Sequence, residues 1–267
     1  MTSRMTAQRL GGLVTDGDLT AVRTAVQEQP QLLAAAIERD GADGWTPLHL
    51  AVAAGHPPLV TALVEAGADL TARTEDGRTP LHLALAHAPH LVEVLRELGA
   101  PLDAASAGFL GDVGTLSRAL DDGALLTDPD TDLDLLRCAA AGGRLDAVAL
   151  LLRRGAAPGP ALRVAAAAGA PEIVQALLDA GADVDGRDAA TGRTALHAAV
   201  AGPGLDTPAV VALLLRAGAD VEATTHDGAS ALDIARVAAA RQRAAATGDT
   251  PEADSLVEML VTAGATG

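Results

Sequence analysis

"DGWTPLHLAVAAGH", residues 43–56, reads as a turn followed by a short helix with both ends marked. Asp43-Gly44 is a turn pair, Thr46 offers a side-chain oxygen as an N-cap, and Pro47 takes the first helical position, where its missing N–H costs nothing. Leu48, Ala51 and Val52 then fall on one face, and Gly55 supplies a left-handed stop. Downstream, Leu59, Val60, Leu63 and Val64 space out the apolar stripe of a second helix, which Gly67 ends. The predicted unit is a turn plus two antiparallel helices. It is too thin to bury its own faces, so it must stack on others of its kind.

The others are present. "TPLHLA" occurs at 46–51 and again at 79–84, a period of 33 residues, and "TALHAA" (194–199) and "SALDIA" (230–235) are weaker copies. Apolar helices ending in Gly-Ala recur, as in "ALVEAGADL", "VLRELGAPL", "ALLDAGADV" and "LLLRAGADV". In period and in the T-P-L-H-x-A signature the chain resembles the ankyrin repeat family. The resemblance implies an all-α solenoid of about eight helix-turn-helix units with short projecting β-turn loops. Parsed this way, 1–267 is a single domain. It has an N-terminal cap at 5–40, units at 41–73, 74–103, 104–126, 127–157, 158–186 and 187–223, and a C-terminal cap at 224–267.

The predicted closing glycines are 67, 99, 123, 155, 181, 218 and 264, and their spacing is irregular. The turns before the units at 104 and 158 are expected to be truncated. "GPGLDT" (202–207) is expected to loosen a helix–helix turn, and "ARVAAARQRAAATGDTPEAD" (235–254) to lengthen the first helix of the last unit and add a loop. "GDVGTLSRAL" (111–120) resembles "GDLTAVRTAV" (17–26) more than it resembles its neighbours, as if a cap had been reused. The leading reading is one continuous array. The alternative is two blocks, 1–102 and 103–267, meeting at a weaker joint near 103.

Composition agrees with a helical stack. The chain is 49% apolar and 20% charged, with one Trp, one Phe and no Tyr, so the core is Ala, Leu and Val in thin, closely packed helices rather than a β-sandwich. Lys and Asn are absent, which we read as codon bias of a GC-rich, bacterial genome. A net charge of −16 argues against nucleic acid, and few aromatics leave no stacking platform for single strands. No apolar run approaches the ~20 residues of a membrane span and the N-terminus lacks a signal core, so a cytoplasmic, monomeric protein is expected. One Cys forms no internal disulfide.

Few residues invite chemistry. His49, His82 and His197 occupy the fourth position of the T-P-L-H copies. The resemblance makes this His structural, its ring bonding to the backbone of the next turn. His87 and His90 add to His82, but residues 82 and 87 stand roughly 140° apart round a helix and no third ligand is evident, so no metal is expected. "DDGALLTDPDTDLD" (121–134) holds six Asp, with Asp128, Asp130, Asp132 and Asp134 spaced like the start of a calcium loop. That pattern fails at Leu133, where glycine belongs, and at Ala139, where glutamate does. A solvated acidic loop is the first reading and contact with a basic partner the second. Cys138 reads as a small buried apolar residue. No nucleophile elbow, phosphate loop or zinc motif occurs, so neither an enzyme nor a cofactor is expected.

The resemblance places partner contacts on turn tips and on the first-helix surface of the concave side. Those positions are Ala42, Asp43, Trp45, Ala53 and Ala54; then Glu75, Asp76, Arg78, Ala86 and His87. Later come Thr191, Arg193 and Ala201, and finally His226, Asp227 and Ala229. Trp45 and Arg78 hold equivalent places 33 residues apart and are expected side by side, although Trp45 also serves as a packing spacer. The function expected is a non-enzymatic scaffold for a protein partner. The alternative is an acidic inhibitor or immunity-type protein that masks a basic enzyme.

Overall fold

The computed structural model describes residues 5–39, 42–75, 77–128, 133–202, 206–245 and 251–266. Sixteen α-helices among them follow one another in eight pairs: α1 (Ala7–Thr15) and α2 (Leu19–Glu28), α3 (Pro47–Ala53) and α4 (Pro57–Glu65), α5 (Pro80–His87) and α6 (Val92–Glu97), α7 (Ala104–Leu110) and α8 (Val113–Asp121), α9 (Leu135–Ala141) and α10 (Leu145–Arg153), α11 (Gly159–Ala168) and α12 (Pro171–Asp179), α13 (Ala195–Ala201) and α14 (Thr207–Arg216), and α15 (Ala231–Ala245) and α16 (Pro251–Thr262). Strands β1 (Ile37–Arg39) and β2 (Ala42–Trp45) form an antiparallel ladder that pairs Ile37 with Trp45. Two further short strands, β3 (Thr127–Asp128) and β4 (Leu133–Asp134), flank residues 129–132.

The helices start and stop where local chemistry directs. Thr46, Thr79 and Thr194 each close a capping box with the His three residues on. Asp18 and Asp112 cap α2 and α8 by accepting the N–H of Ala21 and Thr115, each at 2.9 Å. All seven predicted closing glycines adopt positive φ, from 88° at Gly181 to 105° at Gly264.

Two compact units divide the chain: Met1–Ser106 with Thr127–Leu133, and Ala107–Leu126 with Asp134–Gly267. In the first, α3 packs between α1 and α5, while α4 packs between α2 and α6. In the second, α9, α11, α13 and α15 pack successively side by side, and α8, α10, α12, α14 and α16 form a second layer.

This layering corrects the sequence reading of single apolar faces. Flanked on both sides, α3 buries every residue from Pro47 to Val52, His49 and Leu50 included. In α4, Ala62 and Val64 lie on opposite edges of the stripe, roughly 100° from its centre. Packing covers the Ala62 edge and leaves Val64 half-buried.

The turns are uneven. Residues 66–79, 180–194 and 217–230 are full connections, whereas 98–103 and 154–158 are all that join α6 to α7 and α10 to α11. The first helix of the last pair, α15, is the longest among the described residues, and the expected loop after it and the centre of the "GPGLDT" insertion lie outside them.

Candidate partner-binding surface

The capping boxes position this surface. Nδ1 of His49 accepts the Thr46 backbone N–H at 3.1 Å, so the ring proton sits on Nε2, which donates to the Arg78 carbonyl at 3.1 Å. The same carbonyl accepts from the Thr74 N–H (3.0 Å) and hydroxyl (3.3 Å), so the next turn is clamped from both sides. His197 repeats the arrangement. Its Nδ1 accepts from Thr194 N–H at 3.3 Å, and its Nε2 donates to the Ala229 carbonyl at 3.2 Å. Burial first, with the charges of Arg187 and Arg193 behind it, outweighs the bond to that carbonyl and pushes the His197 pKa down. His197 is therefore a neutral tie.

His82 departs from the pattern. The turn after its unit is truncated, and Nε2 bonds to the Asp103 carboxylate instead of a backbone carbonyl. The expectation of a backbone partner is thus corrected: with no projecting turn there is no carbonyl in place, and a side chain replaces it. Asp103 also caps α7, accepting the Ser106 N–H at 2.9 Å and hydroxyl at 2.7 Å. Burial alone would raise its pKa, but the hydrogen bond and charge of His82 and the two Ser106 donors lower it to about 2.

Trp45 ends β2 just ahead of Thr46. Its half-buried indole meets His49 edge to face, with ring centroids 6.2 Å apart and planes at 67°. Trp45 and Arg78 are thereby joined to the same histidine, one by ring contact and the other by its backbone. Arg193 is exposed, and its charge acts on both His197 and Asp227.

His226 is engaged in stacking one turn on another. Its Nδ1 bonds to the Ala190 carbonyl at 3.2 Å, its N–H donates to Thr191 at 2.9 Å, and its ring covers Gly192, where a Cβ would have no room. Asp227 accepts from the Thr225 hydroxyl, the chief cause of its lowered pKa. His87 is exposed at the end of α5 and Glu75 is exposed in its turn, while Cys138 is buried in α9. The Asp43 and Asp128 side chains, and Asp76, Asp130 and Asp132 altogether, lie outside the described residues.

Sequence reasoning missed two connections of this surface. Asp103 was signalled by the Asp-x-x-Ser capping pattern of "DAAS". Arg163 in α11 reaches Asp188 of the next turn at 3.4 Å, and that carboxylate also accepts from Thr191 N–H (2.9 Å) and hydroxyl (2.8 Å). No motif marks that pair, because an Arg stands where other units have His.

Stacked helix pairs, boxed Thr and His, and left-handed closing glycines all belong to one repeat type, and the model of ankyrin repeats, in three copies, matches residues 14–106 and 135–225. The chain belongs to the ankyrin repeat family. Ankyrin repeats are protein–protein interaction modules. No curated relative matches the chain. Among the described residues of this ankyrin repeat protein, no helix is long and apolar enough to cross a membrane.

Proposed function

We propose that this protein is a non-enzymatic, monomeric scaffold of the cytoplasm, holding a partner protein on its turn tips and on the concave face of its first helices. The observation that carries the reading is the contrast within each capping box. Thr and His are committed to the fold, whereas the residue just before them is Trp45 in one box and Arg in the other two, Arg78 and Arg193. Trp and Arg are the side chains that dominate binding hot spots. Asp43, Glu75, Asp76, His87, His226 and Asp227 complete the proposed surface. Because the turns are already tied to one another, little ordering is left to pay for on binding.

Affinity capture from the cell of origin, read by mass spectrometry, tests this. Trp45→Ala is expected to lose most of the partner that the wild type retains, and equal recovery by both rejects the Trp45 assignment. The charge of −16 favours a second reading, in which the acidic run masks a basic enzyme. In that case binding falls steeply with salt and fails when Asp128, Asp130 and Asp132 become Asn. A scaffold resting on Trp45 is salt-tolerant.

A further inference from the structure

We infer that Arg137 seats a carboxylate carried on a turn of the partner protein, inserted where the chain's own row of turns is interrupted. This rests on the reading of the protein as a partner-binding scaffold.

In four first helices one position ties the unit to the chain ahead, whereas at the same position Ser106 and Asp233 bond to their own caps and Arg9 is exposed. His49, His82 and His197 hold that position three residues after Thr46, Thr79 and Thr194, and Arg137 holds it three residues after Asp134, the cap of α9. Arg163 belongs to the same column, standing as far ahead of the positive-φ Gly169 as His49 does ahead of Gly55 and Arg137 ahead of Gly143. Four of these five side chains find an acceptor in the chain ahead of them. His49 takes the Arg78 carbonyl, His82 the Asp103 carboxylate, Arg163 the Asp188 carboxylate and His197 the Ala229 carbonyl.

Arg137 is the fifth. The connection after its unit is 154–158, Arg-Gly-Ala-Ala-Pro, which carries neither a carboxylate nor a hydroxyl. The Arg137 side chain is exposed and makes no hydrogen bond or ion pair among the described residues. The other interrupted turn, after His82, is compensated by Asp103; this one is not.

The neighbouring unit shows what such a position accepts. Asp188 meets Arg163 at 3.4 Å while its turn is organised by Thr191 and by the Asp188 N–H bond to the Arg193 carbonyl at 2.9 Å. A guanidinium stays charged at any working pH and prefers an anionic acceptor, which points to a carboxylate rather than a carbonyl. The net charge of −16 repels anions at long range, so the carboxylate must sit on an otherwise neutral or basic segment.

The test uses the full chain and a peptide with the sequence of the Asp188 turn, acetyl-Asp-Ala-Ala-Thr-Gly-amide, followed through the arginine Nε–Hε resonances. A saturable shift of the Arg137 resonance is expected, with Arg154, already paired to Asp121, unmoved. The shift is expected to vanish with the Asn form of the peptide and with Arg137→Gln, whose remaining spectrum reports an intact fold. The inference is overturned if Arg137 does not respond, if every exposed arginine shifts alike, or if the Asn peptide works equally well. It also falls if Asp130→Asn or Asp132→Asn moves the Arg137 resonance without peptide, since the chain then supplies its own carboxylate. A null peptide result beside a partner lost in Trp45→Ala removes only this inference and leaves the scaffold reading standing.

Discussion

His197 and Asp103 serve the same purpose, each joining one unit of the stack to the next, yet they respond to acid in separate ranges. His197 is kept neutral, chiefly by burial, so its folded pKa lies below the unfolded value of about 6.5. Below that value the unfolded chain binds a proton that the native chain refuses, so this contribution is complete above about pH 6.5 and declines beneath it. Asp103, lowered to about 2, behaves as a depressed carboxylate. Its contribution is present above the unfolded value of about 3.9 and is lost as pH falls towards 2. Asp69, Asp188 and Asp233 add to this second range, their pKa values lowered first by the hydroxyls of Thr71, Thr191 and Ser230. Urea unfolding over a pH series is therefore expected to show an early decline below about 6.5 and a steeper one below about 4. His197→Gln, less stable throughout, is expected to lack the early decline; finding it unchanged would show that another group causes it. Asp103→Asn keeps a capping residue but gives His82 a neutral acceptor. It is expected to cost about 1 kcal/mol at pH 7 and almost nothing near pH 2, and a difference that does not shrink with acid would contradict the charged role of Asp103.

Between elements, the closest approach is made by glycines that end first helices. A Cβ on Gly142, after α9, would collide with the Phe109 carbonyl of α7, and one on Gly202, after α13, with the Ala167 carbonyl of α11. Neither glycine has positive φ, so it is space and not backbone conformation that demands them. Gly142→Ala and Gly202→Ala are each expected to destabilise by roughly 1–3 kcal/mol, the scale of overpacking in a rigid interior. Gly12→Ala, inside α1 with open space around it, is expected to stabilise by about 0.5–1 kcal/mol, since there only helix propensity is at stake. Denaturation midpoints of the three variants check the contrast, which fails if Gly202→Ala is neutral. The same contrast marks what the sequence made legible. Thr46 and Pro47 start a helix, Gly67 stops one, and the shortness of 98–103 shows from spacing alone, because each is a local property of a few residues. The need for Gly142, the replacement of a carbonyl by Asp103 and the pairing of Arg163 with Asp188 depend on what the adjacent unit places opposite, which no local pattern contains. The contact of Trp45 with the His49 ring likewise emerges only when β2 and α3 are seen together.

At the scale of the molecule, the chain carries far more acid than it neutralises. With 35 acidic and 19 basic residues, carboxylates outnumber the cations that could pair with them by 16, and acidic residues recur at turn and cap positions along the array. Several described ion pairs are exposed, such as Arg154–Asp121 and Arg23–Glu65, and pairs of this kind contribute about 0–1 kcal/mol each. Salt therefore acts in two opposed ways: it weakens those few pairs and it screens the repulsion among excess carboxylates, whose range shrinks from about 30 Å at 0.01 M to about 8 Å at 0.15 M. Repulsion involves the whole net charge of −16, whereas the exposed pairs are few and individually small, so screening wins. Thermal unfolding followed by circular dichroism is expected to give a Tm a few degrees higher at 0.15 M than at 0.01 M sodium chloride. A Tm that falls with salt would mean that the Arg–Asp pairs, and not burial and the histidine ties, hold the stack against its own charge.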